Sequence, residues 1–137
     1  MCFKVQPPWQ MPDETRRIGQ HLLDAKNTYR LIGDELFAKL NEKDFADLYP
    51  SEGQPGLSPV ILAFVTVFQF IEKLPDRQAA ESLRMRLDWK YALHLPLEDE
   101  GFNFSVLSEF RDRLIAGKAE GRVFESLVAQ IREMGLI

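Results

Sequence analysis

Arg86 and Lys90 stand four residues apart in a stretch of helical periodicity, and Arg111 and Arg113 close a second such stretch. Phosphate binding is therefore the first chemistry this chain offers. Cations at i and i+4 share one face of a helix, and a phosphate contact needs only position and charge. Lys118 and Arg122 follow closely, and with Arg86, Lys90 and Arg113 they would form a discontinuous basic surface. Ser105 and Ser108 add hydroxyl donors and acceptors near the start of the second stretch. Arg16 and Arg17 are a weaker second candidate. The competing reading of the Arg86–Lys90 pair is an ordinary solvated face.

Other reactive side chains carry less. His21 and His94 are isolated and have no metal-ligand spacing around them. Glu98-Asp99-Glu100 reads as a solvated acidic loop. No Ser/His/Asp set, glycine-rich phosphate loop or HExxH is present. Cys2 is the only cysteine, so neither a disulfide framework nor a thiolate metal site can form within one chain. Trp89 and Tyr91 lie beside Leu87 and Leu93 and read as core aromatics rather than base-stacking groups.

The elements that must position these groups are helical. Residues 1–12, with three prolines and Trp9, read as an extended arm, and residues 13–137 as one domain. Asp13 or Thr15 is expected to cap a first helix running to about Lys26. A second starts after Asn27 or Thr28 and carries Tyr29, Ile32, Leu36, Phe37 and Leu40 on one face. A short turn at 44–48 and a proline- and glycine-rich loop at 50–56 follow. Ser58 then caps a helix with Pro59 at its first position. Only Thr66 and Gln69 are polar between residues 60 and 71, so that helix should be buried on nearly every side. Asp76 is expected to cap a helix over 77–93. Asn103 or Ser105 would cap another over 104–116, and a last helix spans about 120–134. The fold class is all-α: a compact bundle of about six helices.

Bulk composition sets limits. The net charge of −4 counts against a strongly basic nucleic-acid binder. Residues 102–137 carry five basic and five acidic side chains, so any phosphate-facing surface must be local. The longest apolar run is shorter than the roughly 20 residues a bilayer span needs, and the N-terminus lacks the apolar core of a signal peptide. A cytoplasmic protein with no membrane partner is expected.

Six segments in order resemble the N-terminal domain of bacterial insertion-sequence DDE transposases. They are Asp44-Phe45-Ala46-Asp47-Leu48-Tyr49, Gly53-Gln54-Pro55, Ser58-Pro59, Asp76-Arg77-Gln78-Ala79-Ala80, Asp88-Trp89-Lys90-Tyr91-Ala92-Leu93, and the run from Phe102 through Phe110-Arg111-Asp112-Arg113-Leu114. The resemblance covers about residues 12–137. It implies a helix-turn-helix-like pair at 77–93 and 104–116 that binds DNA at the element's terminal inverted repeats, within the nucleoid. It also implies that a ribonuclease-H-like catalytic domain, with its divalent metals, would follow a segment like Glu133-Met134-Gly135-Leu136-Ile137. This chain ends there, so no residue inherits a catalytic role and no cofactor is expected. The runner-up is an interaction module that forms a homodimer or regulates the transposase.

In a helix-turn-helix protein the N-terminal side chains of the second helix read the major groove. Ser105, Ser108, Arg111 and Arg113 are the candidates for that role. With Leu107, Phe110 and Leu114 facing the core, however, the outward centre falls near Glu109 and Asp112, whose carboxylates repel phosphates. Arg111 lies beside the apolar stripe, so it reads either as a structural arginine paired with a carboxylate or as a DNA contact.

Overall fold

A computed structural model describes residues 10–37, 59–117 and 119–135. The expected arm is thus mostly outside the described residues. So are the turn at 44–48, the loop at 50–56, the Ser58 cap, Lys118 and three of the quoted segments in whole or part. Among the described residues the chain is all-α, as its periodicities require. The helices are α1 (Asp13–Leu22), α2 (Thr28–Leu31), α3 (Pro59–Glu72), α4 (Asp76–Met85), α5 (Leu87–Ala92), α6 (Ser105–Ile115) and α7 (Ala119–Glu133). A π-helical turn, Ile32–Leu36, continues α2.

The apolar helix α3 is the centre of the core. Val60, Ala63, Phe64, Val65 and Phe68 are fully buried. Its one hydroxyl, Thr66, turns back to the Leu62 carbonyl at 2.8 Å, which satisfies it without an outside partner. Among the described side chains of this helix, Phe70 alone is exposed. Helix α7 packs along α3, closed by Leu127 and Ile131, while α6 contributes Leu107 and Phe110. Each fully buried side chain of this size contributes about 1.5–3 kcal/mol.

Local chemistry sets the helix ends. Asn27 caps α2, its Oδ1 accepting from the amides of Tyr29 (2.9 Å) and Arg30 (3.1 Å). Helix α1 starts after Pro12 without a side-chain cap and stops at Leu22, short of the expected Lys26. Thr15, one of its candidate caps, is fully buried and donates to the Leu95 carbonyl at 2.7 Å. Asp76 is likewise no cap, because its carboxylate is taken up by side chains of other helices. Helices α3 and α5 end in Schellman turns, in which an amide reaches back to the carbonyl five residues earlier. Leu74 N–H donates to Gln69 O and Leu95 N–H to Lys90 O. The left-handed position in each is not glycine but Lys73 (φ 58) and His94 (φ 55). His94 is held there by its Nε2, 2.8 Å from the Gly33 carbonyl, and by packing on Phe37.

The single helix expected over 77–93 is two helices. Arg86 is extended (φ −99, ψ 128) and serves as both the end of α4 and the start of α5. Trp89 and Tyr91 lie on different sides of the α5 axis and are both fully buried, because other helices pack against α5.

Tyr91 then closes the contact of α1, α5 and the π-helical turn. Its ring lies between two glycines. A Cβ on Gly19 would fall 2.1 Å from Tyr91 Cδ2, and one on Gly33 would fall 2.6 Å from the Tyr91 carbonyl oxygen. Its hydroxyl donates to Asp34 at 2.6 Å.

Candidate nucleic-acid interface

Helix α6 buries Leu107 and Phe110 and leaves Ser105, Ser108, Glu109, Asp112 and Arg113 exposed. The outward face is the one its wheel predicts, with two carboxylates at its centre. Ser105 N–H donates to Asn103 Oδ1 at 2.9 Å, so Asn103 steadies the first turn.

Arg111 is clamped. Its two terminal nitrogens meet the two oxygens of Asp76 at 2.5 and 2.6 Å, a bidentate geometry. Gln69 Nε2 adds a third donor to that carboxylate at 2.9 Å, so Asp76 ties together α3, α4 and α6. Mainly through the Arg111 hydrogen bond, its pKa lies below the ordinary 3.8. The same bond raises that of Arg111. A depressed carboxylate pKa contributes stability that is present above the unfolded value and lost as pH falls through the folded one. Urea midpoints are therefore expected to drop as pH falls below 3.8, and less steeply in Asp76→Asn. An identical acid limb in the variant would show that the pair contributes nothing.

The Arg86–Lys90 pair does not form the bare positive face expected from its spacing. Arg86 sits in the extended link between helices, and its guanidinium is taken by Glu72 (2.7 Å) and bidentately by Asp88 (3.0 and 2.7 Å). Burial opposes the charge on Arg86, but the hydrogen bonds to Asp88 and Glu72 outweigh it and raise its pKa. Lys90 is 2% exposed, and its ammonium donates to the Asp99 carbonyl. Burial lowers its pKa, with the Asp99 charge opposing. The acidic loop thus has a structural role that its composition did not reveal. Helical spacing located both cations but not their partners.

Arg122 is exposed on α7. Arg16 and Arg17 are exposed on α1.

Two groups escaped sequence reading. Glu72 is the acceptor for Tyr29, Trp89 (3.2 Å) and Arg86. Nothing but its place at the end of an apolar helix could have marked it. Arg77 belongs to the alternating charges of α4, but its guanidinium carbon lies 4.2 Å from the centre of the Phe104 ring.

Among the described residues, no group of three or more His, Cys, Asp or Glu side chains could hold a metal ion. None of their helices is long and apolar enough to cross a membrane.

The arrangement is therefore that of an all-helical domain whose helices are cross-linked by charged side chains. Residues 17–113 match the family described as Transposase domain (DUF772), and the chain belongs to that family. The match runs from α1 to Arg113 near the end of α6. No curated protein and no solved structure matches the chain.

Proposed function

We propose that this domain binds DNA through the exposed face of α6 and recognises the terminal inverted repeats of a transposable element. The carrying observation is the transposase-domain match, which extends into α6 as far as Arg113. In this reading Leu107 and Phe110 anchor the helix, while Ser105, Ser108 and Arg113 meet the DNA. Arg122, exposed on α7, supplies a further phosphate contact, and Lys118, outside the described residues, is another candidate. Arg86, Lys90 and Arg111 act as structural cations, because each already has an acceptor inside the domain. Strand cleavage and joining, with the divalent metals they require, belong to a catalytic domain outside these residues. Glu109 and Asp112 raise the electrostatic cost of non-specific phosphate contact, which favours sequence reading over affinity.

Fluorescence anisotropy on an element-end duplex and a scrambled duplex, across salt, tests this. Tighter binding to the end, weakening as salt rises, is expected. Arg113→Ala should weaken end binding by about thirtyfold, or about 2 kcal/mol, the middle of the range for a lost arginine contact. Equal binding of both duplexes, or no binding, would overturn the reading.

One observation favours a second reading, in which the domain is an interaction module. Phe70 is 76% exposed and Met85 71% exposed, on adjacent helices. Self-association at high concentration, abolished by Phe70→Ser, would support it. A strict monomer in sedimentation would dismiss the dimer.

A further inference from the structure

Asp76 and Arg77 are consecutive residues in the first turn of α4. Phe104, which immediately precedes α6 with helical backbone angles, and Ser108 and Arg111 within it stand four and three residues apart, so they share one face. Asp76 meets that face at Arg111, and Arg77 meets it at Phe104. Ser108, which is exposed, lies between the two contacts. The first turn of α4 and the N-terminal half of α6 thus form one surface carrying two guanidinium groups and one carboxylate.

The two guanidinium groups differ in what holds them. Among the described residues Arg30, Arg86 and Arg111 are held by carboxylates. None of those ion pairs includes Arg77. Arg77 is exposed, and an aromatic ring positions it. A cation–π contact attracts the charge without neutralising it. It leaves the N–H groups of the planar fork for an oxyanion. The ring also restricts a long side chain in advance, reducing the entropy lost when a ligand binds. The position matters too, because Phe104 directly precedes α6, and helix N-termini favour phosphate.

We infer that Arg77, held over Phe104 at the start of α6, is a phosphate contact to the DNA backbone that sets the register of α6 on its site. The inference rests on the reading of α6 as the DNA-facing helix. Arg77 fixes position and Ser108 and Arg113 read sequence, so losing Arg77 weakens every duplex alike.

The test is anisotropy of the domain on the element-end and scrambled duplexes between low and moderate salt. The proteins are wild type, Arg77→Ala, Arg77→Lys, Phe104→Leu and, as a charge-matched control on α4, Arg84→Ala. Arg77→Ala should lower the slope of log affinity against log salt by about 0.9, one phosphate's worth. Both duplexes should lose affinity by the same factor. Arg77→Lys should keep the slope. Phe104→Leu, which keeps the charge and loses the ring, should weaken binding with the slope retained. Arg84→Ala should match wild type. Thermal melting of each variant separates this from a structural role, which would move the melting point and not the slope. A wild-type slope in Arg77→Ala, or an equal loss in Arg84→Ala, would overturn the Arg77 assignment and leave the α6 reading standing. No binding by wild type would overturn both.

Discussion

Gly33→Ala is expected to destabilise the domain by about 1–3 kcal/mol, the cost of forcing atoms into a filled core. Its sign makes it diagnostic. In an open helix, glycine to alanine stabilises by about 1 kcal/mol, because alanine has less backbone freedom to lose. Here the new Cβ would sit 2.6 Å from the Tyr91 carbonyl oxygen and 2.9 Å from its ring. Neither can retreat. The ring is fully buried, its hydroxyl is tied to Asp34, and Gly19 closes its other edge. Gly19→Ala should behave the same way, since its Cβ would fall 2.1 Å from that ring. Gly121→Ala is the control: in α7 its Cβ would meet only the Leu114 oxygen at 3.9 Å, an ordinary contact. Urea midpoints should fall for Gly33→Ala and Gly19→Ala and hold or rise for Gly121→Ala. A rise in all three would refute the packing of Tyr91 between the two glycines.

Loss of the Glu72 carboxylate should cost a similar amount by a different route. Glu72 Oε2 accepts from the Tyr29 hydroxyl and from Trp89 Nε1, and Oε1 accepts from Arg86. Arg86 also lies over the rings of Tyr29 (5.4 Å) and Trp89 (4.9 Å). One carboxylate therefore joins α2, α3 and α5. The ion pair with Arg86 is not the main source of stability, because both side chains are more than a quarter exposed and solvent screens them. The buried donors are. Trp89 is fully buried and Tyr29 7% exposed, and a buried donor left without an acceptor costs about 1–3 kcal/mol. Glu72→Ala should thus lose about 2–4 kcal/mol in urea denaturation. Trp89→Phe, which deletes one of the two donors, should make the further change to Glu72→Ala cheaper. Strict additivity of the two would show that the carboxylate and the indole do not interact.

The same cluster should be acid-sensitive. The Arg86 hydrogen bond foremost, against the opposing effect of burial, holds the Glu72 pKa below its ordinary 4.5. Its stabilisation is complete above that value and fades as pH falls below it. Glu72→Gln should reduce that acid loss while keeping the side chain's shape.

Helix content and the identity of the central helix were legible because both arise from local geometry. A run such as Val60-Ile61-Leu62-Ala63-Phe64-Val65 can only be buried, and stripes at three- and four-residue steps mark α6 and α7. The start of the second helix was legible to within one residue, Asn27 or Thr28, and the structure shows Asn27 capping it through the amides of Tyr29 and Arg30. The break at Arg86 was not. Both flanking segments have helical periodicity, and nothing in the local pattern marks Arg86 as the extended residue between them. Lys90 was misplaced on an open face because spacing reports which side of a helix a residue occupies and not what covers that side. Arg111 was the intermediate case. Its place beside an apolar stripe suggested a carboxylate partner, but Asp76, 35 residues away, could be identified only from the packing of α4 on α6.

By itself, then, the sequence determined that the chain is helical, which helix lies at its centre, and which family it resembles. All three follow from short-range periodicity or from ordered local motifs. Tertiary structure alone decided which charges are available to a partner. Hydrogen bonds from Arg86 to Glu72 and from Arg111 to Asp76 span 14 and 35 residues. Whether a guanidinium meets a carboxylate, a ring or water depends on the angle at which two helices cross, and no local pattern encodes that angle.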